Sequence, residues 1–151
     1  MPLDPAFPEM YTKLRRSRAF AWIVLRIVGG EVKVVETAEP SLGVKDLMKK
    51  LPEKSCCYVV LDHRYQSDDG MLSQAKLFYV TYVPPLASVD EKMAYETQKG
   101  KALSKACPGA IEITIADPDE LKRKVYAVSG ARRKTTFGDD IEPVSDDWMD
   151  E

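Results

Sequence analysis

The spacing of apolar residues along the chain predicts where the first helices and strands lie. Met10 and Leu14 are four residues apart, which is typical of one face of a short helix. The segment 20–27 is rich in aromatic and β-branched residues, so it predicts a strand. The Gly-Gly pair at 29–30 predicts a tight turn, and 32–35 then returns as the second strand of a hairpin.

The same patterns predict three more strands and three more helices. Strands are predicted over 56–61, 77–83 and 111–115, and helices over 44–51, 88–107 and 118–128. Ser88 to Glu91 spells a capping box at the start of the second of these helices. The strands predicted over 56–61 and 77–83 are apolar on both faces, which is typical of strands in the middle of a sheet. The predicted class is α+β: one domain, with a mixed sheet of five to six strands covered by helices on both faces.

Charge is nearly balanced over the chain but not along it. The 22 basic and 24 acidic side chains give a net charge of −2, which offers no reason to expect nucleic-acid binding. After Gly130 the apolar pattern stops. A basic run at 132–134 is followed by seven acids between Asp139 and Glu151. We therefore predict a domain over 1–130 and a disordered tail over 131–151, in which Trp148 and Met149 suggest a small docking motif.

The N-terminal residues have neither the basic region nor the apolar stretch of a signal peptide. No apolar run approaches the ~20 residues that span a bilayer. We therefore expect a cytoplasmic protein without a transmembrane segment. Cys56, Cys57 and Cys107 are an odd number without C-x-x-C spacing, so we expect reduced thiols rather than disulfides.

Residues that could support catalysis are few. His63 is the only histidine, and its neighbour Asp62 is expected on the opposite face of the same strand. Cys57 is six residues from His63, roughly 20 Å by strand rise. The sequence has no phosphate-binding glycine motif and no cluster of metal ligands. We predict that the protein is not an enzyme and has no cofactor or metal; a small hydrolase or redox protein built on Cys57 or Cys107 is the alternative from another class.

The predicted helix that begins after Ser88 offers a different kind of site. Lys92 and Met93 are adjacent in its first turns, just after a Pro-Pro pair at 84–85. An apolar side chain beside a cation at an exposed helix start suits insertion into a groove on a partner protein.

Four segments, in the same order, resemble those of the ADF/cofilin family. Segment 51–65, LPEKSCCYVVLDHRY, is similar to the family pattern LPENDCxYAxYDxEY, and 82–95, YVPPLASVDEKMAY, to WSPDxAPVxxKMxY. The hairpin over 20–37 and the segment 111–121, IEITIADPDEL, also resemble the family. The resemblance covers about residues 10–127.

The resemblance implies a mixed sheet between helices and binding to actin monomers and to ADP-actin filaments. It implies filament severing and disassembly, with the long helix wedged between two actin subdomains. The implied actin-binding residues are Val89, Asp90, Lys92, Met93, Lys99, Lys101, Lys122 and Arg123. Relatives also bind phosphoinositides, which implies a site formed by Arg15, Arg16, Lys122, Arg123 and Lys124. We expect a monomer associated with the cytoskeleton.

Some residues depart from the family pattern and keep a second branch open. Asp90 stands where a basic residue is usual, and the N-terminal serine that relatives phosphorylate is absent. The segment 65–73 is similar to YQxDDGxxS of the glia-maturation-factor branch, whose members bind the branch-nucleating actin-related complex. Asp62 and the pair Lys92 and Met93 favour cofilin, whereas Asp90 and the segment 65–73 favour the other branch.

Overall fold

The computed structural model describes residues 2–66, 73–98 and 105–129. In chain order the elements are α1 (Phe7–Arg16), β1 (Trp22–Val28), β2 (Glu31–Thr37), α2 (Val44–Lys50), β3 (Cys57–Gln66), β4 (Ser73–Tyr82), α3 (Val89–Gln98), β5 (Ile111–Ile115) and α4 (Pro118–Ser129). The strands of this part of the chain form one sheet in the order β2-β1-β3-β4-β5. Neighbouring strands are antiparallel except β4 and β5, which are parallel. The predicted α+β class with a mixed sheet is confirmed.

Helices cover both faces of the sheet, as the apolar central strands predicted. Tyr58 and Val60 of β3 pack in one core cluster with residues of α1 and α3. Cys57, Val59 and Leu61 alternate with them and pack in a second cluster with residues of α2 and α4. The helices α1 and α3 therefore share one face of the sheet, and α2 and α4 share the other. None of the helices in the described ranges is long and apolar enough to cross a bilayer.

The N-terminal residues cover the outer edge of β2. The backbone nitrogen of Val32 donates to the carbonyl oxygen of Pro2 at 2.8 Å, and Leu3 forms a parallel bridge to Val32. The Asp4 carboxylate accepts from the backbone nitrogens of Ala6 and Val34, each at 3.0 Å. These two hydrogen bonds hold the pKa of Asp4 below its usual range. An edge that would otherwise offer unpaired backbone groups is thus partly occupied.

The predicted long helix over 88–107 is wrong at its C-terminal end. The described part of α3 ends at Gln98, and residues 105–109 form turns. The sequence between them contains Gly100, a residue that disfavours helix interiors. Only Tyr95 of α3 is buried, so the helix rests on the sheet through a short contact.

Strands β3 and β4 are longer than their apolar runs predicted. Beyond Leu61 the strand continues to Gln66 and pairs residue by residue with β4, as far as Gln66 with Ser73. Backbone pairing of this kind needs no apolar side chain, so the apolar pattern did not report it. Residues 67–72 and 130–151 lie outside the described residues; most of the segment 65–73 and the predicted tail fall there. The domain boundary at 130 stays a prediction.

Candidate functional site

The N-terminal turn of α3 is fixed by a serine cap and by the sheet beneath it. The backbone nitrogen of Glu91 donates to Ser88 Oγ at 3.1 Å, which is one half of the predicted capping box. The Glu91 carboxylate is directed to the sheet, where Oε2 accepts from the Cys56 backbone nitrogen at 2.8 Å. The same oxygen lies 3.3 Å from the Arg26 guanidinium. The start of the helix is therefore tied to both β1 and the beginning of β3.

The second turn of α3 is held by Tyr95. Its hydroxyl oxygen accepts from the Ile27 backbone nitrogen at 2.8 Å, and its carbonyl oxygen accepts from Tyr58 Oη at 2.7 Å. The rings of Tyr58 and Tyr95 lie 5.0 Å apart between centroids. The pairing between β1 and β3 ends at Leu25, although β1 itself continues to Val28. On the side of β1 that faced β3, the Tyr95 hydroxyl therefore bonds to the Ile27 backbone nitrogen, which no strand covers there. These contacts fix the inner face of the helix.

The outer face of α3 presents apolar side chains to solvent. Val89 is 68% exposed and Met93 is 62% exposed, and the two lie one helical turn apart. Leu86, which precedes the helix by three residues, is 62% exposed. Val89 and Met93 share one face of the helix, and Leu86 lies in the turn before it; we call these three exposed apolar residues the α3 stripe. A stripe of this kind on a fixed helix is typical of a protein-binding surface.

The structure brings four of the candidate actin-binding residues together on α3. Asp90 is exposed and Lys92 is half-buried, and both belong to the same turns as Val89 and Met93. The sequence did not indicate Leu86, because it lies in the turn before the helix, where helical spacing gives no signal. The other two candidates on this segment, at 99 and 101, lie outside the described residues.

The basic residues of α4 do not form a single exposed cluster. Lys122 is buried at 8% exposure, so it offers little surface to a partner or a lipid headgroup, and its binding role stays a prediction. It lies beside Leu121 and one turn before Val125, both of which face the core, and this position draws its side chain inward. Arg123 and Lys124 are exposed, and Lys124 Nζ donates to the Thr114 carbonyl oxygen at 2.8 Å.

The two basic segments expected to bind phosphoinositides lie on opposite sides of the sheet. Arg15 and Arg16 are exposed in the last turn of α1, and the Arg15 guanidinium lies 5.6 Å from the centre of the Tyr11 ring. Arg123 and Lys124 belong to α4, which packs on the other face. The structure therefore does not join them into one patch.

The residues considered for catalysis are poorly placed for it. Burial raises the pKa of the Cys56 thiol to about 11 and those of Cys57 and Cys107 to about 12. Because the thiolate is the nucleophile, these cysteines react poorly near neutral pH. Burial lowers the pKa of His63 to about 4, and the Asp62 carboxylate pairs with Arg64 at 3.0 Å. Within the described residues, no group of three or more potential ligands could hold a metal ion.

Residues 1–127 match the family of cofilin/tropomyosin-type actin-binding proteins. The chain belongs to this family. It is 32% identical over 127 residues to cofilin-1A of Dictyostelium discoideum, a match that covers 82% of this chain and 90% of that relative. It is 31% identical over 115 residues to actophorin of Entamoeba histolytica, covering 75% and 82%. The crystal structure of Streptomyces griseoflavus cofilin matches with a TM-score of 0.74 at 26% identity, covering 86% of this cofilin-family chain and 96% of that chain.

Proposed function

We propose that this cofilin-family protein binds actin monomers and ADP-actin filaments and promotes filament severing and disassembly. The observation that supports it best is the exposed pair Val89 and Met93, beside Lys92, on a helix whose inner face is fixed to the sheet. The similarity to cofilin-1A of Dictyostelium discoideum also supports it. We place the protein in the cytoplasm, as a monomer that associates with the cytoskeleton.

The outer face of α3 supplies the binding energy by burying apolar surface. Full burial of one such side chain is worth about 1.5–3 kcal/mol, and Leu86, Val89 and Met93 are each still more than half exposed. The helix is already fixed by Glu91 and Tyr95, so little conformational entropy is lost when it enters a cleft on actin. Apolar burial on a pre-formed helix therefore accounts for affinity without any chemical step.

Charges on the same surface set the orientation and limit the affinity. The half-buried Lys92 directs its ammonium group toward carboxylates on actin, which favours correct encounter. Exposed Asp90 opposes it, because a like-sign contact at a desolvated interface costs on the order of 1 kcal/mol. We expect binding that is weaker than with a basic residue at position 90.

A second surface on the opposite face of the sheet is needed to contact two subunits of a filament. Exposed Arg123 on α4 supports such a contact, whereas buried Lys122 is left out of it. Phosphoinositide headgroups bind through Arg15 and Arg16, or separately through Arg123 and Lys124, as two independent weak sites.

Co-sedimentation with ADP-actin filaments tests this function. We expect the protein to pellet with filaments or to shift actin into the supernatant. Lys92→Ala lowers actin-monomer affinity at least several-fold and leaves the thermal midpoint nearly unchanged, since a single half-buried lysine at the surface adds little to folding. Lys13→Ala on α1, an exposed lysine away from α3, serves as the matched control. If Lys92→Ala, Lys13→Ala and the unmodified protein bind actin monomers with equal affinity, the assignment of Lys92 to the actin-binding site is contradicted.

The glia-maturation-factor activity remains the second candidate because exposed Asp90 departs from the cofilin pattern. The same assay, repeated with branched networks, separates the two. Removal of branches without binding to plain filaments would favour the second candidate. Binding to plain filaments, with loss of affinity in Lys92→Ala, supports the proposed function.

A further inference from the structure

Residues 2–5 form a short strap along the outer edge of β2. Leu3 forms a parallel bridge to Val32, whose backbone nitrogen donates to the Pro2 carbonyl oxygen at 2.8 Å. The Val32 carbonyl oxygen accepts from the Asp4 backbone nitrogen at 2.7 Å. Both backbone groups of Val32 are therefore bonded to the strap.

The Asp4 side chain holds the strap in place. Its carboxylate accepts from the backbone nitrogens of Ala6, which directly precedes α1, and of Val34 on β2. These two hydrogen bonds, and to a smaller extent the charge of Lys33, hold the pKa of Asp4 below its usual range. Because one carboxylate joins the strap to both α1 and β2, we expect its loss to free the strap.

Without the strap, β2 could pair with a second β2. The unpaired N–H and C=O groups of an edge strand are a template for pairing with another chain. In an antiparallel pair centred on Val32, the two copies of this residue exchange both of their backbone hydrogen bonds. These are the same two backbone groups that the strap now occupies. Such a pair has two-fold symmetry, which is the commonest symmetry of dimers of identical chains.

The charges beside Val32 fit the same pairing. When Val32 lies opposite Val32 of a second copy, Glu31 lies opposite Lys33 of that copy, and Lys33 opposite its Glu31. Opposite charges directly across two strands are stabilising. Within one chain Glu31 and Lys33 already lie 3.7 Å apart, but both are about half exposed, so this pair is weak and can exchange. Arg26, which faces Lys33 on β1, is paired with Glu91.

The second half of β2 is protected in a different way. Val34 pairs with Leu25 and Glu36 pairs with Val24, so Val35 has no partner residue on β1 and forms a bulge. A bulge bends the strand and interrupts its ladder of hydrogen bonds, which hinders pairing with another chain. The first half of β2 is regular, and this is the half that the strap covers.

We propose that the strap is a guard held by Asp4: when it is released, β2 pairs antiparallel with β2 of a second copy, Val32 opposite Val32. Pro2 and Pro5 suit the strap to this role, because proline has no N–H to offer to a further strand. With the strap in place we expect a monomer. This self-association is independent of actin and goes beyond the proposed function.

Light scattering after size-exclusion chromatography of the full-length protein tests the proposal. We expect the unmodified protein to keep the mass of one chain, 17.0 kDa, as its concentration rises. Asp4→Ala should move towards twice that mass, with a dimer fraction at least several-fold higher. At concentrations too low for pairing, amide hydrogen exchange at Val32 and Val34 should be faster in this variant. Glu9→Ala removes an exposed acid from α1, and as the matched control it should stay monomeric.

A charge reversal tests the predicted register. Lys33→Glu, added to Asp4→Ala, places acids opposite acids across the two strands and should restore the monomer. Adding Glu31→Lys as well makes the strands complementary again and should restore the dimer.

Three results would overturn the proposal. In the first, Asp4→Ala stays monomeric at every concentration, so that the freed edge does not pair. In the second, the Asp4→Ala dimer survives Lys33→Glu, which would place the contact elsewhere on the molecule. In the third, the unmodified protein forms as much dimer as Asp4→Ala, because the strap would then guard nothing.

Discussion

The Glu91 carboxylate lies 2.8 Å from the backbone nitrogen of Cys56, although the two residues are 35 positions apart in the sequence. Glu91 stands at the position where a capping-box acid usually turns back to its own helix. Here it bonds to the residue that precedes β3 and to Arg26 of β1. Glu91 therefore fixes the start of α3 above the sheet, as Tyr95 fixes its second turn.

Replacing Glu91 by alanine should destabilise the fold. The Cys56 side chain is fully buried, and loss of the acceptor leaves its backbone donor unpaired beside Arg26. We expect the free energy of unfolding to fall by about 1–3 kcal/mol, measured by urea denaturation. Glu91→Gln keeps an oxygen acceptor and loses only the charge, so it should cost less than half as much. Equal losses in the two variants would show that the ion pair, not the backbone hydrogen bond, stabilises this junction.

Tyr95→Phe should open the end of β1 locally. The hydroxyl oxygen that accepts from the Ile27 backbone nitrogen is removed, while the ring contact with Tyr58 is kept. We expect a loss of about 1–2 kcal/mol in the free energy of unfolding. Amide hydrogen exchange should become faster at Ile27 and stay unchanged at Leu25, which pairs with β3. Unchanged exchange at Ile27 would mean that water replaces the hydroxyl without cost.

Much of the fold could be predicted because local pattern and tertiary packing agree in the central strands. Val59 and Val60 are apolar neighbours that pack on opposite faces, and this alternation is written in the sequence. The polar end of β3 was missed because Gln66 is held by backbone pairing with Ser73, which leaves no apolar signal. Residue type reports burial, and it does not report ladder hydrogen bonds.

The site could be predicted only as far as one helix is concerned. Val89 and Met93 are brought together by helical spacing, which the sequence contains. The bond from Glu91 to Cys56 depends on where β3 lies, and no local pattern encodes it. The burial of Lys122 could not be predicted for a similar reason. A run of three basic residues is typical of an exposed helix face, and the sequence does not say which of the three faces the sheet.

Removing the apolar side chains of the α3 stripe should weaken actin binding without weakening the fold. Val89→Ala and Met93→Ala each remove side chains that are mostly exposed in the free protein. We expect several-fold lower affinity for actin monomers from each, and nearly additive losses in the double variant unless the two side chains share one pocket. The thermal midpoint should change little. Val28→Ala, at an exposed site away from α3, is the matched control and should retain affinity.

His63 should make the stability of the protein depend on pH in a defined window. It is 7% exposed, and its ring lies 5.4 Å from that of Tyr126 and 6.3 Å from that of Phe78. Burial lowers its pKa from 6.5 to about 4 in the folded state. The unfolded chain therefore binds the proton more tightly, and the free energy of unfolding decreases as pH falls from 6.5 towards 4.

Urea denaturation at about pH 7 and about pH 5 measures this effect, which should reach up to about 2 kcal/mol. Most carboxylates stay ionised over that interval, and His63 is the only histidine, so the change can be assigned to it. His63→Gln has no proton to bind there; we expect it to be less stable at neutral pH but much less sensitive to acid. An equal loss of stability in both proteins would place the titrating group elsewhere, because a residue that cannot be protonated cannot produce the slope.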